Sequence, residues 1–429
     1  MNRTLLPLLL ISTLACSSAT TYDPQRMNAI SERYVKLVLA LGEHDTDYVD
    51  AYYGPPEWRE AVKAQKSSLD EIRTGATAVI DELLAMPAAP DEMLALRHRY
   101  LLRQSEALLA RVDILRGKKL TFDEESKALY DAVAPHHDEA YFQQLTEQLR
   151  GELRGDGSLI DRLESYRKSF VIPKEKLDAV FKAAIEGCRA RTLQHMELPP
   201  GETFTVEYVT NKSWSGYNWF KGHYNSLIQV NTDLPIFIDR AIDLACHEGY
   251  PGHHVYNTLL EKNLVRDRGW QELTVYPLFS PQSLIAEGSA NYGIDVAFPA
   301  QERVAFEKTN LFPIAGIDPA QADRYYRVQE LIGQLSYAGN EAARRYLDGE
   351  INAQQAAEWL TKYALMSPPR AQQRVKFIDQ YRSYVINYNL GKDLVKAYVE
   401  RHAGADRDKR WQVFQQLLST PRLPADLEK

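Results

Sequence analysis

Residues 243–256 read DLACHEGYPGHHVY, placing His247, His253 and His254 within eight residues and Glu248 beside the first of them. The whole chain has 10 histidines, so three in one short window are not a chance scatter. The physical reference is His-Glu-x-x-His on a helix. There, imidazoles at i and i+4 share a face and bind zinc, and the Glu between them handles the proton of an activated water. The spacing here is longer. At about 100° per residue, His253 lies about 240° round from His247, and His254 returns to the same face only after roughly 10 Å of axial rise. Neither pair reaches one ion, whose ligand atoms must sit about 2 Å from it. Gly249, Pro251 and Gly252 supply the missing irregularity. Pro251 lacks an amide hydrogen and its ring clashes with the carbonyl four residues back, that of His247. Gly252 has access to backbone angles closed to other residues. A bulged or looped turn that returns His253 to His247 is therefore expected, with His254 directed to the substrate or to a supporting position.

Upstream of this window the pattern is helical from about Asp23 to His195. Tyr34, Val35, Val38, Leu39 and Leu41 form one apolar face, and Leu69, Ile72, Val79, Ile80, Leu83 and Leu84 another that ends before Pro87. The texture changes at Pro199-Pro200-Gly201. Residues 203–209 (TFTVEYV) and 224–230 (YNSLIQV) read as strands, with Trp214, Gly216, Tyr217, Trp219 and Gly222 read as turn residues between them. After Pro235 helices return and continue to the end, with breaks near Pro277, Pro313, Pro319 and Pro368-Pro369. The expected fold is mostly α: a large two-lobed helical architecture with a deep cleft and a small sheet beside the metal-binding helix. Its parts would be a leader at 1–20, a helical lobe at 21–200 and a catalytic lobe at 201–429.

The leader reading rests on MNRTLLPLLLISTLA, a basic Arg3 followed by an apolar run too short for a comfortable membrane span, then small residues. Leu14-Ala15-Cys16-Ser17 resembles a bacterial lipoprotein box, although Thr13 stands where Leu is usual. Lipidation at Cys16 and plain cleavage near Ala19 are both open. Either places the mature chain outside the cytoplasm: periplasmic, tethered to the outer membrane, or secreted. The only membrane contact expected is that lipid anchor. In such a compartment Cys188 and Cys246 are free to pair if close, which spacing alone does not decide. With 429 residues, 45% hydrophobic and 25% charged, the chain is an ordinary globular protein. Three cysteines exclude a disulfide scaffold, and a net charge of −7 argues against nucleic-acid partners.

The HEGYPGHH stretch resembles the signature of a bacterial family labelled as a domain of unknown function, number eight-eight-five, whose members resemble zinc metallopeptidases with a widened His-Glu-x-x-His motif. That family carries a downstream Glu-Gly-x-Ala-x-Tyr helix, matched here by Glu287-Gly288-Ser289-Ala290-Asn291-Tyr292. The resemblance implies Glu287 as third zinc ligand and a helical peptidase with its site in a deep cleft. It is strong from the strand at Tyr224 to Tyr292 and weaker toward both ends. Near the C-terminus the family's Pro-Gly-Gln-Ala-x-Ser-Tyr is replaced by residues 382–391, RSYVINYNLG, which keep only Tyr388 and Gly391.

The resulting expectation is a Zn2+-dependent hydrolase acting on short peptides. His247, His253 and Glu287 hold the metal, and Glu248 is the general base. Asp243 orients His247, and Asn291 hydrogen-bonds Glu287. Tyr381, Tyr384 and Tyr388 fall at i, i+3 and i+7 of a predicted helix, either as a core stripe or as a source of an oxyanion donor. Tyr388 is favoured for that role and Tyr384 comes second. His223, His254 and Arg382 are candidates for substrate contact, with the strand at 224–230 as an edge that pairs with an extended peptide. Alternatives are a zinc amidohydrolase acting on non-peptide or cell-wall amides, and a silent binding lipoprotein. Cys246 reads as a buried thiol rather than a nucleophile. Substrate identity and oligomeric state are not encoded in these patterns.

Overall fold

A computed structural model describes residues 21–428; the leader and Cys16 lie outside the described residues. The chain is mostly helical with two small sheets, as the sequence pattern predicts. Among the described residues no helix is long and apolar enough to cross a membrane.

Helix boundaries follow local chemistry. Ser68 accepts from the Glu71 amide while the Glu71 carboxylate takes the Ser68 amide, opening the helix Leu69–Leu84. Thr121 and Glu124 repeat the device for Phe122–Tyr130. In the helix Pro24–Gly42 the predicted face of Tyr34, Val35, Val38, Leu39 and Leu41 is buried. Leu84, read onto the core face of the next long helix, is 64% exposed. It follows Leu83 by about 100° in the last turn, which carries it off the seam.

The strands are β1 (Val49–Tyr52), β2 (Thr203–Val209), β3 (Gly216–Gly222), β4 (Asn225–Asn231) and β5 (Val275–Pro277). β1 pairs antiparallel with β5. The larger sheet has the order β2-β4-β3, with β2 parallel and β3 antiparallel to β4. Two expectations change here. Residues 216–222, read as turn, form a strand whose Asn218 and Phe220 are buried on one face. And β4 has a neighbour on each side, so it offers no edge to a peptide. His223 and Tyr224 join β3 to β4 with φ of 54° and 58°, a two-residue hairpin turn with both central residues left-handed. Their amides each donate, at 3.0 Å, to the Glu261 carboxylate.

At the centre lies the helix Pro281–Ala297, buried on nearly every side. Its glycines let neighbours approach closely. A Cβ on Gly288 would lie 2.4 Å from the Gly391 carbonyl, on the crossing helix Ile386–Ala403. A Cβ on Gly293 would lie 3.2 Å from the Pro251 ring. A disulfide between Cys188 and Cys246, with Cα atoms 5.6 Å apart, ties the helix Leu177–Leu193 to the segment carrying His247. Such a bond is usual where proteins mature outside a reducing cytosol.

Candidate metal centre

The helix Asp239–Leu244 passes without a break into one wide π-helical turn, Ala245–Gly249. The Tyr250 amide reaches back to the Ala245 carbonyl and the Gly252 amide to that of Cys246. A new helix then starts at His253. Any side chain at Gly252 would drive its Cβ to 1.9 Å from the His247 carbonyl oxygen, so only glycine closes this turn. The consequence is geometric. His253 Nε2 comes to 3.1 Å from His247 Nε2, six residues away in sequence.

Glu287, from the central helix, completes the group. Its Oε2 is 3.3 Å from His247 Nε2 and its Oε1 3.8 Å from His253 Nε2. One ligand atom from each of the three residues lies within 4.8 Å of the others. Tyr384 donates its hydroxyl to Glu287 Oε1 at 2.7 Å, while Glu287 Oε2 is buried and makes no hydrogen bond. An unsatisfied buried carboxylate oxygen costs roughly 1–3 kcal/mol or more. A cation between the three groups removes that cost.

The tautomer of His247 fits the same reading. Asn291 donates its amide NH2 to the Tyr388 carbonyl at 3.0 Å, which aims its Oδ1 at His247 Nδ1, 3.1 Å away. An amide oxygen only accepts, so Nδ1 carries the proton and Nε2 presents its lone pair to the group. Burial opposes charge on His247, but the carboxylates of Glu248 and Glu287 outweigh it and raise its pKa. Burial, reinforced by His247, lowers His253 to about 4, so its ring is neutral at neutral pH. Burial works against the Glu287 carboxylate too, yet the two imidazoles and Tyr384 hold its pKa below the ordinary value. With the His247 proton displaced by the ion, two imidazole nitrogens and one carboxylate are a donor set suited to a divalent transition-metal ion.

This group lines a cavity of about 400 Å³, shared with Glu248, Tyr381, Tyr384 and Tyr388. Desolvation pushes the Glu248 carboxyl up to about 7. Its backbone carbonyl accepts from Asn218 Nδ2 at 2.7 Å, and the missing side chain of Gly216 leaves room for its carboxylate. Tyr381 and Tyr388 do not share one helix. The first helix ends at Tyr381, Arg382 adopts φ 52°, and a short turn through Val385 precedes Ile386–Ala403. Glu125 holds this break by accepting from Arg382 Nε, the Ser383 amide and the Ser383 hydroxyl. Arg382 is thereby engaged away from the cavity.

Other expected residues also sit elsewhere. Asp243 lines the cavity but pairs with Arg240 at 2.9 Å and Arg303 at 2.8 Å; it is Asn291, not Asp243, that orients His247. Asn291 in turn contacts His247 rather than Glu287. His254, one position after a ligand and so turned about 100° from it, is fully buried. Its Nε2 donates to Glu202 at 3.0 Å, and its Nδ1 lies 2.8 Å from Ser226 Oγ on β4. Tyr250 and Arg189 hold the same Glu202, so this array braces the kinked segment against the sheet. His223 faces Arg266 at 3.0 Å, at the hairpin turn outside the cavity. The sequence pattern assigns no site role to Asp50, Tyr217 or Arg374, all of which line the cavity. The hydroxyl of Tyr217 donates to Asp50, whose carboxyl burial raises to about 7.

No family model and no curated protein matches this sequence. Among solved structures, the chain is similar to a "putative lipoprotein" from Colwellia psychrerythraea at 14% identity and a TM-score of 0.49. The match covers 84% of this chain and 62% of that one, so this chain spans less than two thirds of that protein's length. A "putative lipoprotein of unknown function" from Shewanella oneidensis matches at 11% identity and a TM-score of 0.42, over 84% and 75% of the two chains. A protein described as CHT matches at 11% identity and 0.44, over 92% and 90%. Likenesses at this level assign no function.

Proposed function

We propose that this chain is an exported metal-dependent hydrolase, a peptidase of the widened His-Glu-x-x-His kind seen in family eight-eight-five, with zinc as its resident ion. One observation carries the proposal: His247, His253 and Glu287 converge in a cavity that Glu248 also lines, with one Glu287 oxygen buried and without a hydrogen bond. An ion held there supplies Lewis acidity, polarising a carbonyl and acidifying water.

The chain's own residues account for the rest. Glu248 is adjacent in sequence to a ligand yet is not one, and its pKa near neutrality suits a group that takes a proton from attacking water and returns it to the leaving amine. Tyr384 is committed to Glu287 and fixes that carboxylate. Tyr388 also faces the cavity and is the donor for the developing oxyanion. Ser215 pairs with Asn231 across the sheet. In that register the backbone groups of Gly216 and Asn218 point away from β4, and both residues line the cavity. Edge groups so placed suit an extended peptide of any sequence. The leader-like start and the disulfide support a location outside the cytoplasm, tethered through Cys16 or free.

The test is metal analysis of the purified protein with digestion of a peptide library. About one equivalent of zinc is expected, with hydrolysis lost in Glu248→Gln while metal is retained. Hydrolysis that survives in Glu248→Gln would overturn the mechanism.

A further inference from the structure

Arg374 stands on the helix Pro368–Tyr381 and lines the cavity. Its guanidinium lies 4.7 Å from the Phe377 ring centroid and 5.6 Å from that of Tyr388. Among the described residues it has no ion pair, and its Nε is buried without a hydrogen-bond partner. The other cavity arginines are engaged: Arg240 pairs with Asp243, and Arg370 donates to the Pro235 carbonyl. Three of the cavity's carboxylates are committed as well. Asp50 is bonded to Tyr217, Asp243 to two arginines and Glu287 to Tyr384. A partly buried cation without an ion pair is costly in a folded protein, even with the Glu287 carboxylate acting on it from a distance. Burial presses the Arg374 pKa down, but a guanidinium remains charged at neutral pH.

We propose that Arg374 anchors a carboxylate of the substrate, so that the site takes short peptides presenting a free carboxylate close to the bond that is cut. This rests on the hydrolase reading only for the word "cut"; the anion site stands on the unpartnered guanidinium itself. The planar fork of an arginine matches a carboxylate with two parallel hydrogen bonds. A doubly charged group such as a phosphate is disfavoured, because Asp50, Glu248 and Glu287 share the cavity. Phe377 and Tyr388 beside the guanidinium give it aromatic walls, whose low polarity strengthens a single ion pair. The carboxylate has two sources, a peptide C-terminus or an Asp or Glu side chain.

The experiment is calorimetric binding to the full mature protein carrying Glu248→Gln, so that turnover does not interfere. The probes are N-acetyl-dialanine as free acid, the same compound as its amide, and N-acetyl-alanyl-glutamic acid α-amide, which carries only a side-chain carboxylate. At least one acid is expected to bind about tenfold or more tighter than the neutral amide. Which acid gains identifies the source. Adding Arg374→Gln should erase that preference while leaving the neutral amide's affinity within about twofold, and Arg374→Lys should keep part of it. Equal binding of acids and amide, or an equal loss for all three probes in Arg374→Gln, overturns the proposal. Should Arg374→Gln fail to fold, the lysine variant and the acid-to-amide ratio still decide it. A protein that prefers the acid but hydrolyses no amide keeps this inference and loses the preceding one.

Discussion

Gly288 and Gly391 meet backbone to backbone: a Cβ built on Gly391 would stand 2.7 Å from the Leu284 carbonyl oxygen and 3.1 Å from the Gly288 Cα. This contact sets the separation of the central helix from the helix Ile386–Ala403. The first carries Glu287 and Asn291, the second Tyr388, and Tyr384 lies in the turn just before it. The bonds from Tyr384 to Glu287 and from Asn291 to the Tyr388 carbonyl both cross this seam. Gly288→Ala forces the helices apart. Overpacking of this kind costs roughly 1–3 kcal/mol, and the seam bonds stretch with it. A lower denaturation midpoint together with a lower metal content is expected. A variant that keeps full metal content would show that the seam does not control the site.

Asn291, and not Asp243, is the residue that fixes His247. Loss of a partner that orients a ligating imidazole typically weakens metal binding about 10–100-fold. Asn291→Ala should show that loss in a competition titration with a chelating dye. Asp243→Asn should leave affinity nearly unchanged, although it weakens the Arg240 and Arg303 pairs and lowers thermal stability. The opposite ranking would return the orienting role to Asp243.

These two residues also mark where sequence reading stops. The kink was legible because proline and glycine between histidines break a helix for local reasons. The strands at 203–209 and 225–231 were legible, apart from one residue of boundary, through their β-branched and aromatic content. Gly216–Gly222 is hidden, because glycines at both ends mimic a turn, and with that strand hidden β4 reads as an edge. Asp50 reaches the cavity through β1, which pairs with a strand more than 200 residues away; no spacing rule encodes that. Arg374 did leave a trace, since Arg370, Arg374, Phe377 and Tyr381 recur at helical spacing, with charges set into an otherwise aromatic stripe. A partner such as Asn291 is chosen by how two helices cross, which the periodicity of either helix does not reveal.

The disulfide encloses a 58-residue separation and ends next to a metal ligand. Chain-entropy arguments give roughly 4 kcal/mol of stabilisation for a loop of that size, before any native-state relaxation. Replacing both cysteines by serine should lower the unfolding midpoint and weaken metal binding together, because Cys246 anchors the turn that carries His247. Normal metal affinity in the double-serine variant would show that the turn holds its shape through Gly252 and the Glu202–His254 brace alone.

Asp50 gives the protein a pH-dependent term that can be isolated in the metal-stripped state. Burial raises its carboxyl from 3.8 to about 7, with Glu287 adding to the shift and Tyr217 opposing it. The folded form therefore holds a proton that the unfolded chain releases. This contribution is fully present below about pH 4, declines as pH rises between about 4 and 7, and is gone above the folded value. At 1.36 kcal/mol per unit, its ceiling is roughly 4 kcal/mol, with relaxation and water entry reducing it. Asp50→Asn keeps the shape and removes the titration. Denaturant midpoints measured from pH 4 to 8 in chelator should therefore fall less steeply for Asp50→Asn than for the native chain, and the variant should gain relative stability at pH 8. Parallel curves for the two proteins would mean that Asp50 titrates alike in the folded and unfolded states.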